Sequence, residues 1–314
     1  MKLYTQISIA KEDRQIDYDS HLLLLGSCFS ENIGDKFEYF KFQSLSNPFG
    51  ILFHPLAIET VIQRSVLQKK FTEDDAFYLN EHWHCFDVHS NFSDVSKEVL
   101  LDNLNRALEA TFQHLKMCTH IIITLGTAWV YRYKKSRETV ANCHKLPQTN
   151  FNKELLSIDK IVVSLEALKS IINSINSNAE LIFTVSPVRH LKDGFIENQR
   201  SKAHLISAIH DVVKKGHISY FPSYEIMMDE LRDYRFYASD LVHPNETAVE
   251  YIWEKFKDSQ ISKDIFKTMD EVGAIQKGLA HRSFNPASGA NRKFQESLQD
   301  KIAYIKKDYP FMEF

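Results

Sequence analysis

Three short, almost unbroken apolar runs constrain this chain most: His21–Gly26 (HLLLLG), Thr119–Leu125 (THIIITL) and Glu180–Val185 (ELIFTV). None alternates polar with apolar residues, so none suits a sheet that faces water on one side. Continuous β-rich runs that stop at Gly or Ser read as strands buried on both faces. Between them lie segments of helical periodicity. Val95–Lys116 carries Val99, Leu100, Leu104, Leu108, Phe112 and Leu115 at the spacing of a long amphipathic helix. Ser30–Phe40 reads as a helix with Ser30 as its cap. Pro55–Gln68, Ile161–Ile175, Asn198–Lys215 (closed by Gly216) and Glu246–Phe256 read as further helices. Ile218–Phe221 reads as a short strand ending in Pro222. Apolar strands alternating with helices predict an α/β chain, with a mostly parallel sheet covered on both faces.

The rest is less regular. Residues 42–53 read as a second strand and its loop, with turn signals at Asn47-Pro48 and Gly50. Residues 76–92 read as a small hairpin, Trp129–Tyr133 as another strand, and 134–157 as polar and irregular. From about 258 the chain is charged and helix-rich, with a break at Phe284–Gly289. The expected organisation is one domain over 1–257 and a C-terminal helical extension over 258–314, packed on it or flexibly attached.

At 314 residues the chain can bury a full core unaided. A net charge of −3 gives no basic footprint for nucleic acid or an anionic membrane. The four cysteines, at 28, 85, 118 and 143, form no CxxC pair, which fits reduced thiols. The first residues, MKLYTQISIAKEDRQ, contain no signal-like apolar stretch. The longest apolar runs fall far short of the ~20 residues that span a bilayer. The expectation is a soluble, cytoplasmic protein.

Ligands of open α/β sheets bind beyond the carboxyl ends of the strands. Three chemically capable segments fall at such ends: Gly26-Ser27-Cys28, Gly126-Thr127 and Ser186-Pro187-Val188-Arg189. A fourth, Asp240-Leu241-Val242-His243, precedes the last helix of the sheet region. A serine at a strand-to-helix turn sits at free backbone N–H groups that can hold an oxyanion. Serine needs a base, His243 can act as one, and Asp240 three residues away can orient it. Helix capping would also explain Ser27, turn capping Asp240, and a surface loop His243.

Taken together, Gly26-Ser27-Cys28-Phe29-Ser30, Asn47-Pro48-Phe49-Gly50, Thr124–Trp129, Ser186–His190 and Asp240–Pro244 occur in the order of the GSCFA family, which they resemble over roughly residues 20–257. The resemblance implies a branch of the SGNH (GDSL-like) hydrolases. It implies a three-layer α/β/α sandwich with a flavodoxin-like sheet. It implies metal- and cofactor-independent ester chemistry with Ser27, Asp240 and His243 as catalytic residues. The substrate would be an O-acyl ester, small or on a carbohydrate, with an O-acyltransferase or a non-catalytic binding module as rivals. That family's third block supplies an oxyanion-hole Asn that is absent at Gly126–Trp129. Cys28, Gly50 and Thr127 are the expected oxyanion donors instead, and Asn47, Arg189 and His190 the expected substrate contacts.

Cys28 could itself be a nucleophile, since helix N-termini activate thiolates. The His82-Trp83-His84-Cys85 run with His89 suggests zinc, but Cys85 would face away from both histidines on a strand, a poor tetrahedral set. Arg189 could bind a substrate anion or close a structural salt bridge.

Overall fold

The computed structural model describes residues 5–214, 218–282 and 284–314. Its centre is a five-stranded sheet of β1 (His21–Gly26), β2 (Gln43–Ser46), β5 (His120–Leu125), β9 (Glu180–Val185) and β10 (Ile218–Phe221), every neighbouring pair parallel. The spatial order is β10-β9-β5-β1-β2. Counting only these strands in chain order gives 2-1-3-4-5, the doubly wound flavodoxin-like order.

The apolar runs are continuous because the sheet is covered twice. Leu23, Leu25, Ile121, Ile123, Leu181 and Phe183 share one core with α2 (Pro55–Val66), α3 (Lys97–Met117), α4 (Ile158–Asn173) and α5 (Phe195–Val213). Leu22, Leu24, Ile122 and Ile182 point the other way. They pack with α1 (Cys28–Tyr39), α7 (Glu246–Gln260), α8 (Phe266–Ala280) and α9 (Gly289–Asp308). The result is three layers, α/β/α. Between β10 and α7 lie the single turn α6 (Ser223–Glu225) and a π-helical turn over Ile226–Leu231. The C-terminal helices are not detached: Met269, Val272, Ile275, Leu298, Ile305 and Met312 bury with the sheet.

The hairpin is β3 (Ala76–Leu79) with β4 (His82–Cys85), turned at Asn80-Glu81, where both residues have positive φ. Residues 134–157 are more ordered than their polarity suggests. There, β7 (Thr139–Val140) and β8 (Phe151–Leu155) pair antiparallel with β6 (Trp129–Tyr133). Rings of Phe86, Tyr133 and Phe151 pack together and supply the apolar contact that the local sequence hides. The first helix starts earlier than expected: Ser27, not Ser30, is its N-cap. The α8–α9 break falls at the expected segment, with Ser288 capping α9. Gly216 and Lys215, expected at the end of α5, lie outside the described residues.

Candidate active site

The site grows from the carboxyl edge of the sheet. Gly26 ends β1 at φ 134°, a conformation open to glycine, and an added Cβ would lie 2.1 Å from the Thr124 carbonyl oxygen. This close passage delivers Ser27 to the start of α1. Ser27 N–H donates to Thr124 O (3.0 Å), and Ser27 O accepts from Ser30 N–H (2.7 Å). Its side chain is fully buried, makes no capping hydrogen bond, and its Oγ has no partner at all. A cap serine ordinarily secures a first-turn N–H; this one withholds its hydroxyl.

Asn47, just beyond β2, takes a left-handed conformation (φ 42°), which asparagine tolerates. Its Oδ1 accepts from Gly26 N–H (2.9 Å), while its buried Nδ2 has no partner. The carboxamide is thereby oriented with a free donor beside the backbone that carries Ser27. Gly50 and Thr127 differ from expectation. Gly50 N–H is already donated to Asn47 O (2.7 Å). Thr127 N–H donates to Phe53 O (3.0 Å), and its Oγ1 pairs with Ser201 Oγ (3.0 Å) and accepts from Trp129 N–H (3.0 Å). Neither backbone N–H is free to hold an oxyanion in this arrangement, because closing the two turns uses both. Cys28, as the first residue of α1, keeps the donor position at the helix N-terminus. Its thiol is pushed up by burial, and further by Glu31, the reverse of an activated thiolate.

The Asp240–His243 loop forms one hydrogen-bonded unit. Asp240 Oδ1 accepts from Val242 N–H (2.9 Å) and His243 N–H (3.0 Å), and Oδ2 meets His243 Nδ1 at 2.6 Å. These bonds hold the Asp240 carboxyl down to about 2, the His243 N–H leading. Leu241 absorbs the tight wrap with φ 58°, a strained conformation for a bulky side chain. The loop is pinned to the end of β9 by Arg189 N–H to Val242 O (3.2 Å). It therefore sits on the same sheet edge as Ser27, with β5 between their strands. Ser27 Oγ and the His243 ring are not hydrogen-bonded to each other: Ser27 is sealed, while Asp240 and His243 are each about half exposed.

A second histidine stands beyond the end of β5, beside Gly126. His190 Nε2 is buried without a partner and would stand 3.1 Å from a Cβ on Gly126. The ring packs edge-on against Phe53, and His190 N–H donates to Asn198 Oδ1 (2.9 Å). Burial lowers its pKa to about 3, with the Lys202 and His243 charges adding, so this imidazole is neutral at working pH. Beneath it, Lys202 of α5 is fully buried and donates to Gly126 O (2.8 Å) and Ser186 O (2.7 Å), tying the ends of β5 and β9 together. Burial lowers its pKa to about 7. No motif singles out Lys202, although a lysine on the buried stripe Ser201, Leu205, Ala208 and Ile209 is a signal visible in the sequence.

The model of the GSCFA family matches residues 21–256, three quarters of the chain and every residue of this edge. The chain belongs to the GSCFA family. A second model, described as the C-terminal domain of GSCFA domain proteins, matches residues 272–314, which contain most of α8 and all of α9. No curated protein matches the chain.

In this GSCFA protein the histidines of the hairpin do other work. His84 uses both ring nitrogens, toward Ser93 Oγ (2.6 Å) and Leu79 O (3.0 Å), and His82 Nδ1 lies 3.1 Å from Asn80 O. Among the described residues no group of three or more His, Cys, Asp or Glu side chains is placed to hold a metal ion. Among them, too, no helix is long and apolar enough to cross a membrane.

Proposed function

We propose that this GSCFA protein is a serine-dependent hydrolase of O-acyl esters, related to the SGNH hydrolases. One observation carries the reading: Ser27 occupies an N-cap position yet makes no cap, leaving a buried, unpartnered hydroxyl at the carboxyl end of β1. Ser27 Oγ attacks the acyl carbonyl. His243 takes the proton and returns it to the leaving alcohol, and Asp240 fixes its tautomer through the 2.6 Å bond at Nδ1. Asn47 Nδ2 and the Cys28 N–H hold the oxyanion, so the amide missing from the third block is supplied from beyond β2. A water molecule that gives its proton to His243 then attacks the acyl-enzyme carbonyl, releasing the acid as the proton passes to Ser27 Oγ. The reaction requires the Asp240–Pro244 loop to close over Ser27, which brings His243 to the hydroxyl.

The test is Ser27→Ala, assayed on short acyl esters and with a fluorophosphonate probe. Turnover and labelling are expected to vanish. Because the hydroxyl makes no cap bond, unfolding stability is expected to shift by less than about 0.5 kcal/mol, below the ~1 kcal/mol of an ordinary cap loss. Retained turnover in a folded Ser27→Ala chain would remove Ser27 from the chemistry.

A further inference from the structure

Arg189 stands beside the Asp240–His243 loop, its guanidinium turned to the Tyr237 side chain by a hydrogen bond rather than to an acid. Its guanidinium carbon lies 4.0 Å over the Tyr237 ring, 5.1 Å from the Tyr234 ring and 6.0 Å from the Phe195 ring. The neighbouring acids are engaged elsewhere: Glu197 with Arg200, Asp233 with Arg235 and Asp240 with His243. Among the described residues no acid pairs with Arg189, so the structural salt bridge that would explain this arginine is not made. Stacking occupies the face of a guanidinium and leaves N–H groups in its plane, the fork that matches carboxylate and phosphate oxygens. The rings also fix the cation in place at modest desolvation cost.

Two further facts place this group relative to the reaction. The Arg189 backbone is bonded to Val242, the residue before His243. The histidine that returns a proton to the leaving oxygen must have the alcohol portion of the ester on its own side. The Tyr234 and Phe195 rings beside the guanidinium are 58% and 60% exposed, an open wall rather than a sealed core.

We infer that Arg189 recognises an oxyanion, carboxylate or phosphate, carried on the alcohol portion of the substrate. The assignment to the alcohol side rests on the hydrolase reading above; the anion subsite itself does not.

Calorimetric titration at low salt tests it with D-glucuronate and D-glucose 6-phosphate as the two anionic probes and D-glucose as the neutral one. At least one anion is expected to bind wild type about ten-fold or more tightly than glucose, the scale of a charge-assisted bidentate contact. The better arm identifies carboxylate or phosphate as the group preferred. Arg189→Gln is expected to erase that preference. Arg189→Lys keeps the charge without the planar fork and should retain a weaker one, which separates loss of the counter-charge from collapse of the loop. No anion preference in wild type, or one that survives Arg189→Gln, overturns the inference. The Ser27→Ala chain should bind the anions like wild type. Esters left intact by a chain with an Arg189-dependent preference would sink the hydrolase reading alone, whereas turnover without any preference would sink only this inference.

Discussion

The Asn47 side chain accepts the Gly26 amide proton at 2.9 Å and, from the same carboxamide, leaves Nδ2 buried and unpaired. An unpaired buried donor costs about 1–3 kcal/mol, a cost that an oxyanion bound at Nδ2 would offset.

Asn47→Gly is the informative change there, because glycine accepts φ 42° and isolates the carboxamide. Ester turnover is expected to fall in kcat by roughly 10²–10³, the scale of one lost oxyanion donor, with KM nearly constant. Stability should fall by about 1–3 kcal/mol as Gly26 N–H loses its acceptor. A kcat within a few-fold of wild type would remove Asn47 from the oxyanion hole.

The sheet was legible from its apolar runs because burial on both faces leaves no other composition workable. β1, β5 and β9 sit on those runs, and the Asp240–His243 pairing follows from three-residue spacing in one loop. What stayed hidden depends on distant partners. β7 and β8 form because β6 lies between them, and their aromatic contacts reach across long stretches of chain, as Phe86 does to Tyr133 and Phe151. Gly50 and Thr127 carry plausible backbone donors in sequence, and only the turns they close reveal that those N–H groups are taken. The free donor of Asn47 is equally invisible until Gly26 occupies its oxygen.

Asp240 is expected to stay ionised through any working pH. Its folded-state pKa lies at about 2, below the ordinary carboxylate value, so the fold favours the charged form. The bonds that hold the loop are therefore fully present above the unfolded pKa of ~3.9 and fade as pH falls through about 2. A carbon-13 titration of the Asp240 carboxyl should find its midpoint near that value, and a midpoint at about 4 or above, the ordinary carboxylate range, would mean the loop is open in solution. Asp240→Asn keeps an acceptor for the two N–H groups but turns a donor toward His243 Nδ1, forcing the wrong tautomer. Turnover should drop by roughly 10³–10⁴, as it does when a serine-protease triad loses its carboxylate.

Lys202 gives the chain a stability signature of its own. Burial lowers its pKa from 10.5 to about 7, so between those values the unfolded chain carries a proton that the folded chain lacks. Stability then rises with pH across that window, since the unfolded state binds more protons. Below about pH 7 the folded chain must charge the amine in place, and that charge lies close enough to act on Cys28 and His190. Lys202→Met removes the titration while leaving the Gly126 and Ser186 carbonyls unpaired, which lowers stability at every pH. The slope is the diagnostic quantity. Wild-type stability minus that of Lys202→Met should grow by on the order of 2–4 kcal/mol from about pH 6.5 to about pH 10, because each pH unit between the folded and unfolded pKa values contributes ~1.4 kcal/mol. Parallel denaturation profiles across that range would show that Lys202 keeps an ordinary pKa, and that the link between the β5 and β9 ends is a permanently charged one.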